Sequence, residues 1–250
     1  MRRLAALFLL LAGAISARAQ WQIFAEKLPK PGTWARYQQE TIRDGKVVSK
    51  SELSLSIRPG MDVGGKPHLW FTVEPVGWLG SREHAPLRLL LSADMDRARA
   101  SRLIENAQEI VFSNPVKGAY HMTREDIAWV SKWANLTYTS ELKPDTPAQE
   151  SIEAAGKRFA CERLKMDAST VTDPPIVPKQ TITFKGTVWR SDLAPFGVVR
   201  AEWLEKTTKK DRNREETRRL TLLANGWATP PAEPVDRGKD FSVWRLIFNR

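Results

Sequence analysis

The chain predicts an α+β fold that is mainly antiparallel β, a strongly curved sheet or unclosed β-barrel with two helices packed on the concave side. Three observations predict it. Apolar and polar side chains alternate with a period of two over most of the chain, Asp44-Gly45-Lys46 separates two long runs of that kind, and 3.6-residue periodicity is confined to one block near residues 93–135.

The first run is Thr33 to Arg43 and the second Val47 to Ile57, where Leu53, Leu55 and Ile57 point one way while Glu52, Ser54 and Ser56 point the other. Further runs follow at His68 to Glu74, Leu87 to Ser92, Lys157 to Met166, Gln180 to Trp189, Val198 to Lys206, Glu216 to Ala224 and Phe241 to Phe248. So many strands suit a sheet that curls rather than a small flat one. Between the two groups of strands, Arg97 to Glu109 carries Leu103, Ile104 and Ala107 at helical spacing and continues it into Ile110 and Val111. A second helix is expected from Thr123, with Asp126 three residues on completing a capping-box-like start and Ile127, Val130, Trp133 and Ala134 sharing a face. Pro144, Pro147, Pro174, Pro175 and Pro178 mark loops rather than domain boundaries, so residues 20–250 are expected to form a single β-rich domain.

Ahead of that domain, residues 1–19 read as a cleaved signal peptide. Arg2 and Arg3 precede the 12-residue apolar run Leu4 to Ile15, and Ala17-Arg18-Ala19 supplies small residues at the cleavage positions, so the mature chain is expected to begin near Gln20. Twelve residues rise about 18 Å as a helix, short of a bilayer core of roughly 30 Å, so no transmembrane anchor is expected. The expected location is the periplasm, with the extracellular space second. Cleavage takes away Arg2, Arg3 and Arg18, lowering the formal charge of +10 by three and leaving the mature chain basic. A basic exported protein feels anionic envelope surfaces at low salt. The one cysteine, Cys161, cannot form an internal disulfide, so stability has to come from the core.

The order of elements and two late segments carry a resemblance. Gly156-Lys157-Arg158-Phe159-Ala160-Cys161, and the stretch Thr187 to Arg200 with its Trp189-Arg190-Ser191 and Pro195-Phe196-Gly197, resemble a group of uncharacterised exported bacterial β-proteins. These are similar in turn to the periplasmic lipoprotein carriers. The resemblance implies an unclosed barrel whose mouth is covered by helices, and a lipid or other hydrophobic ligand held in the concave sheet.

Candidate residues are few. Ser191 and Asp192 are expected to be turn residues beside Pro195 and Gly197, since no histidine lies near them in sequence. Cys161 is expected to be a small buried apolar residue. His68, His84 and His121 fall in no catalytic or metal-ligating pattern, and no cofactor, metal or nucleic acid is expected. The main reading is therefore a non-enzymatic binding or accessory protein of the envelope. An envelope hydrolase with a spatially assembled active site is the alternative. Among ten tryptophans, Trp129 and Trp133 are the ligand-binding candidates, because a helix laid over a concave sheet would carry them above its pocket. Between Lys206 and Arg219, seven basic residues outnumber three acidic ones, and Lys206, Lys209, Lys210, Arg212 and Arg214 are the candidates for contact with an anionic surface.

Overall fold

The computed structural model describes residues 21–77, 84–114, 118–175, 178–210 and 212–241. The expected signal peptide and its cleavage site lie outside these residues, as does nearly all of the expected strand Phe241 to Phe248. The described elements run α1 (Gln22–Ala25), β1 (Thr33–Arg43), β2 (Lys46–Val63), β3 (Lys66–Gly77), β4 (His84–Ser92), α2 (Arg97–Ala100), β5 (Glu109–Asn114), β6 (Gly118–Thr123), α3 (Arg124–Trp133), β7 (Thr137–Ala154), β8 (Lys157–Thr172), β9 (Gln180–Arg190), β10 (Val198–Lys209), β11 (Arg212–Trp227) and β12 (Lys239–Asp240). They form one sheet of twelve strands in the order β12-β6-β5-β4-β3-β2-β1-β11-β10-β9-β8-β7, not closed into a barrel. Every neighbouring pair is antiparallel except β12 with β6.

Turn chemistry sets the register. Asp44 and Gly45 both have positive φ, as do Gly64 and Gly65, the mirror-image turn whose twist matches that of the flanking strands. Ala155-Gly156 does the same between β7 and β8 without the residue types that announce it. Two expectations need correction. The helix expected over Arg97 to Glu109 ends at Ala100, and Glu109, Ile110 and Val111 belong to β5. A short apolar run fits either period, and here the ladder wins, beginning with the Gln108 N–H donating to the Leu90 carbonyl at 2.9 Å. Pro144 and Pro147 lie inside β7, not in a loop. β7 is an edge strand, where a missing N–H costs no ladder bond. The second helix starts as expected: the Thr123 N–H donates to Asp126 Oδ2 at 2.9 Å, and the Asp126 N–H donates to Thr123 Oγ1.

One continuous core fills the curl. Trp21, Ile23, Phe24 and Ala25 of the α1 segment and Leu103, Ile104 and Ala107 after α2 are buried with Tyr37, Leu55, Ile57, Phe71, Leu89 and Phe184 from the sheet. The Phe24 and Tyr37 rings lie 5.0 Å apart. Phe196, from the turn between β9 and β10, reaches Phe71 on β3 with ring centroids 6.0 Å apart. β9 and β3 stand five places apart in the sheet, so this contact crosses the concave space. α3 leads from β6, near one edge, to β7, the other edge. It buries Ile127 and Val130, and beyond it the Ala134 carbonyl accepts the Asp173 N–H at 2.8 Å.

A strap closes the outside. After β11 the chain passes to β12, seven strand spacings away, or roughly 34 Å, while the twelve residue steps from Trp227 to Lys239 reach at most about 40 Å when extended. Val235 packs on Trp70, Leu90 and Val111, a small apolar cluster opposite the main core, and Arg58 Nη2 donates to the Glu233 carbonyl at 2.6 Å.

Three tryptophans are explained by glycines. Trp203 stands opposite Gly186 and Trp34 opposite Gly226 in register, and Trp227 lies against Gly32. An indole over a bare backbone restores the packing that the glycine omits. A Cβ added to Gly186 would lie 2.5 Å from Trp203 Cα, a backbone atom that cannot step aside. Gly186→Ala is accordingly expected to cost about 2–3 kcal/mol in urea unfolding; an unchanged midpoint would show that β9 and β10 are not so tightly apposed.

Candidate functional site

Charged side chains on the sheet are mostly matched across strands. On the face opposite Leu220, Ala201 and Trp203, a belt runs from Lys50 to Glu40 at 2.9 Å, to Arg219 at 3.3 Å, and on to Glu202 at 2.8 Å. These pairs are direct partners in register across β2, β1, β11 and β10. Arg200 and Arg163 then lie over Trp189, 5.1 and 5.8 Å from its ring, and the indole N–H donates to Glu150 at 2.7 Å. The hydrogen bond from Lys50 holds the Glu40 carboxyl below its ordinary pKa, against the effect of its burial.

A second cluster lies beneath the β10–β11 hairpin tip. Buried Glu216 accepts from Arg43 Nε at 2.7 Å, Arg214 at 2.6 Å and Arg218 at 2.9 Å. Burial alone would raise its pKa, but the hydrogen bonds from Arg214 and Arg43 and the charge of Arg218 outweigh it, and Glu216 titrates below the usual carboxylate range. Nearby Glu205 goes the other way: burial raises it, opposed by Arg218 and reinforced by the charge of Glu216.

These networks divide the candidate cations. Lys206 is paired with Glu215 at 2.8 Å and Arg214 with Glu216, whereas Lys209, Lys210 and Arg212 at the tip form no ion pair among the described residues. Lys210 and Arg212 are exposed. The sequence reading missed Lys46, Val47 and Val48. They sit at the β1–β2 tip at the same end of the sheet, and Val47 and Val48 are 43% and 52% exposed. The Asp44-Gly45 turn, combined with the β1–β11 register, is the signal that would have placed them there.

Trp129 and Trp133 are stacked, with centroids 6.5 Å apart and planes at 15°. Only Trp133 is partly buried against the core; Trp129 is 46% exposed on the outer side of α3. The space that a concave-pocket reading assigns to a ligand is occupied by Phe24, Phe196 and their neighbours. Two clefts among the described residues open at the surface. One of about 790 Å³ is lined by Glu26, Lys27, Arg97, Arg190, Ser191 and Asp192, and one of about 480 Å³ lies between the strap and Arg58 with Trp70. In the first, Glu26 accepts from Arg97 at 3.1 Å and from Arg190, fastening α1 to β9.

The described histidines, Cys161 and Ser191 lie in ordinary structural surroundings. His68 is buried with Nδ1 2.9 Å from the Lys66 carbonyl, and His121 Nδ1 lies 3.4 Å from the Asp240 carboxylate, beside the β6–β12 pairing. The side chain of His84 lies outside the described residues. Burial pushes the Cys161 thiol up to about 11, assisted by Glu150. Ser191 belongs to the turn that carries Phe196, its N–H donating to the Gly197 carbonyl at 3.0 Å. Among the described residues, no group of three or more His, Cys, Asp or Glu could hold a metal ion, and no helix is long and apolar enough to cross a membrane.

No family model and no curated protein matches the chain. Solved structures do. A protein named as a lipoprotein from Parabacteroides distasonis is similar over 80% of this chain and 97% of its own, at 13% identity and a TM-score of 0.39. A protein named as exported, with a YmcC-like fold, from Bacteroides fragilis matches 80% of this chain and 98% of its own at 12% identity and a TM-score of 0.36. The hypothetical lipoprotein YmcC from Escherichia coli matches 86% and 93% at 13% identity and 0.29. Superpositions this loose leave the functional argument to the chain's own geometry.

The two glutamates beneath the hairpin tip make opposite predictions. Glu216→Gln strands three arginines and is expected to cost about 3 kcal/mol at pH 7. Because the folded pKa of Glu216 lies below its unfolded value, that contribution is present above the ordinary carboxylate range and is lost as pH falls through the folded value. The difference from wild type should therefore shrink in acid. Glu205→Gln removes a carboxylate that burial already disfavours, so its stability at pH 7 should match or exceed wild type. Denaturant titrations at pH 7 and pH 3 check both, and equal losses for the two variants at pH 7 would contradict the assignment.

Proposed function

We propose that this is an exported, non-enzymatic protein of the periplasm that binds an anionic partner through the basic rim formed by Lys209, Lys210 and Arg212. The observation that carries the reading is the contrast in charge matching. Across both faces of the central strands cations meet carboxylates or an indole, in register or along a strand, and among the described residues Lys209, Lys210 and Arg212 at the β10–β11 tip do not; Asp211, between them in sequence, lies outside those residues. Cations gathered at an exposed hairpin tip concentrate positive potential where an anionic surface can approach.

Export is supported by the sequence of residues 1–20, with its basic start, apolar run and small residues at the cleavage positions. A non-catalytic role is supported by the contacts of His68 Nδ1 with the Lys66 carbonyl and of the Cys161 thiol with the Phe159 carbonyl. The finer reading, a lipid or other hydrophobic ligand inside the curl, would require Phe24 or Phe196 to leave the core, so recognition is assigned to the outer surface. On a sulfated polymer column, the mature protein is expected to elute at clearly higher salt than Lys209→Glu/Lys210→Glu/Arg212→Glu. Identical elution of the two would remove the rim from the account.

A further inference from the structure

We propose that the anionic partner is a lipid bilayer, and that the protein rests on it with Trp129, Val47 and Val48 in the interfacial layer and the basic rim against the headgroups. This rests on the anionic-partner reading and adds the class of partner and the orientation. Topology supplies the juxtaposition. At one end of the sheet Thr137 pairs with Val171, Thr172 with Gln180, Gln180 with Lys209, and Lys209 with Arg212. Five strands in sequence therefore place the end of α3 about 19 Å from the basic tip. The link from Asp173 N–H to the Ala134 carbonyl fixes the C-terminal end of α3 at this same rim. On the other side of the tip, Arg43 reaches Glu216, and the β1–β2 turn brings exposed Lys46, Val47 and Val48. Lys132, in the last turn of α3, and Lys179 are exposed there too.

Charge alone would suit any polyanion. What favours a bilayer is the exposure of an indole and two valines at the end that carries the unmatched cations. Indoles are enriched at the headgroup level of membranes, where a wet edge and an apolar body are both accommodated. Clustered lysine and arginine are attracted to anionic leaflets within a Debye length of the surface. A soluble anionic polysaccharide accounts for the cations and leaves the exposed Val47, Val48 and Trp129 without a role. Among the described residues the carboxylates nearby are Asp44 in the β1–β2 turn, Asp173 facing Lys179 at 4.0 Å, Glu215 committed to Lys206, and Glu205 and Glu216 facing Arg218 beneath the tip; Asp211, between Lys210 and Arg212, lies outside them.

The test is co-sedimentation of purified mature protein with vesicles of phosphatidylglycerol and phosphatidylcholine, against vesicles of phosphatidylcholine alone. Tryptophan emission is followed in parallel. Binding is expected only to the anionic vesicles, with a blue shift of the emission, and with affinity falling as salt rises. Lys209→Gln/Lys210→Gln should weaken binding about 30-fold. Trp129→Ala should weaken it about tenfold and abolish most of the blue shift. Val48→Asn should weaken it without changing the emission of the free protein. All of these positions are exposed or half-exposed, and unchanged thermal unfolding of each variant separates lost binding from lost fold. Binding to soluble dextran sulfate with no sedimentation on either vesicle would overturn the bilayer inference and leave the anionic-partner reading standing. Failure to bind either overturns both. Vesicle binding that Trp129→Ala leaves unaltered in affinity and emission overturns the proposed orientation.

Discussion

Everything in this molecule depends on a contact across empty distance in the strand order: Phe196 on Phe71. A sheet of twelve strands cannot bury one face by lying flat, because α1, α2 and α3 are far too short to cover it. It has to curl until its own side chains meet. The Pro-Phe-Gly turn between β9 and β10 then does what a covering helix does elsewhere, delivering a phenylalanine into the concavity, while Phe24 from α1 settles on Tyr37 beside it. A filled interior of this kind resists compression and leaves little room for a guest. The sheet is thus left unclosed, and its interior is used as core.

Curvature also explains what lies outside. Where the sheet bends, indoles lie over glycines so that strands can approach without voids, and the strap from Trp227 to Lys239 packs Val235 on the outer face. The charge belt from Lys50 to Glu202 and the arginines on Trp189 each contribute modestly, as exposed cross-strand pairs do. Their more important effect is to neutralise the broad faces. Among the described residues, Lys209, Lys210 and Arg212 are left without ion pairs at the rim, and the proposed role grows from that distribution rather than from any single residue.

Much of the fold was legible because burial on one face imposes a period of two, and strands such as β2 and β8 carry it plainly. β5 was not, since Ile110, Val111 and Phe112 are too few to distinguish a strand from a helix. β7 was hidden for a different reason: as an edge strand exposed along most of its length, it contains prolines and charges, and fully buried residues appear only at Ile152 and Ala154. The basic hairpin was legible as a charge run, but the sequence could not separate Lys206 and Arg214, whose partners Glu215 and Glu216 lie across or along the ladder, from the unmatched Lys209, Lys210 and Arg212. Trp129 was read as facing inward. Its helix does pack on the core, through Ile127 and Val130, and that leaves position 129 outside.

The central claim is that the concavity is closed by the chain's own aromatic side chains in the free protein. The most direct measurement is a nuclear Overhauser experiment on mature protein with selectively labelled phenylalanine, free of any added lipid. The account predicts cross-peaks between the Phe196 and Phe71 rings, together with slow exchange of neighbouring amides. Absence of those cross-peaks, with Phe196 ring signals at the positions of a solvated phenylalanine, would mean an open interior and would contradict the account.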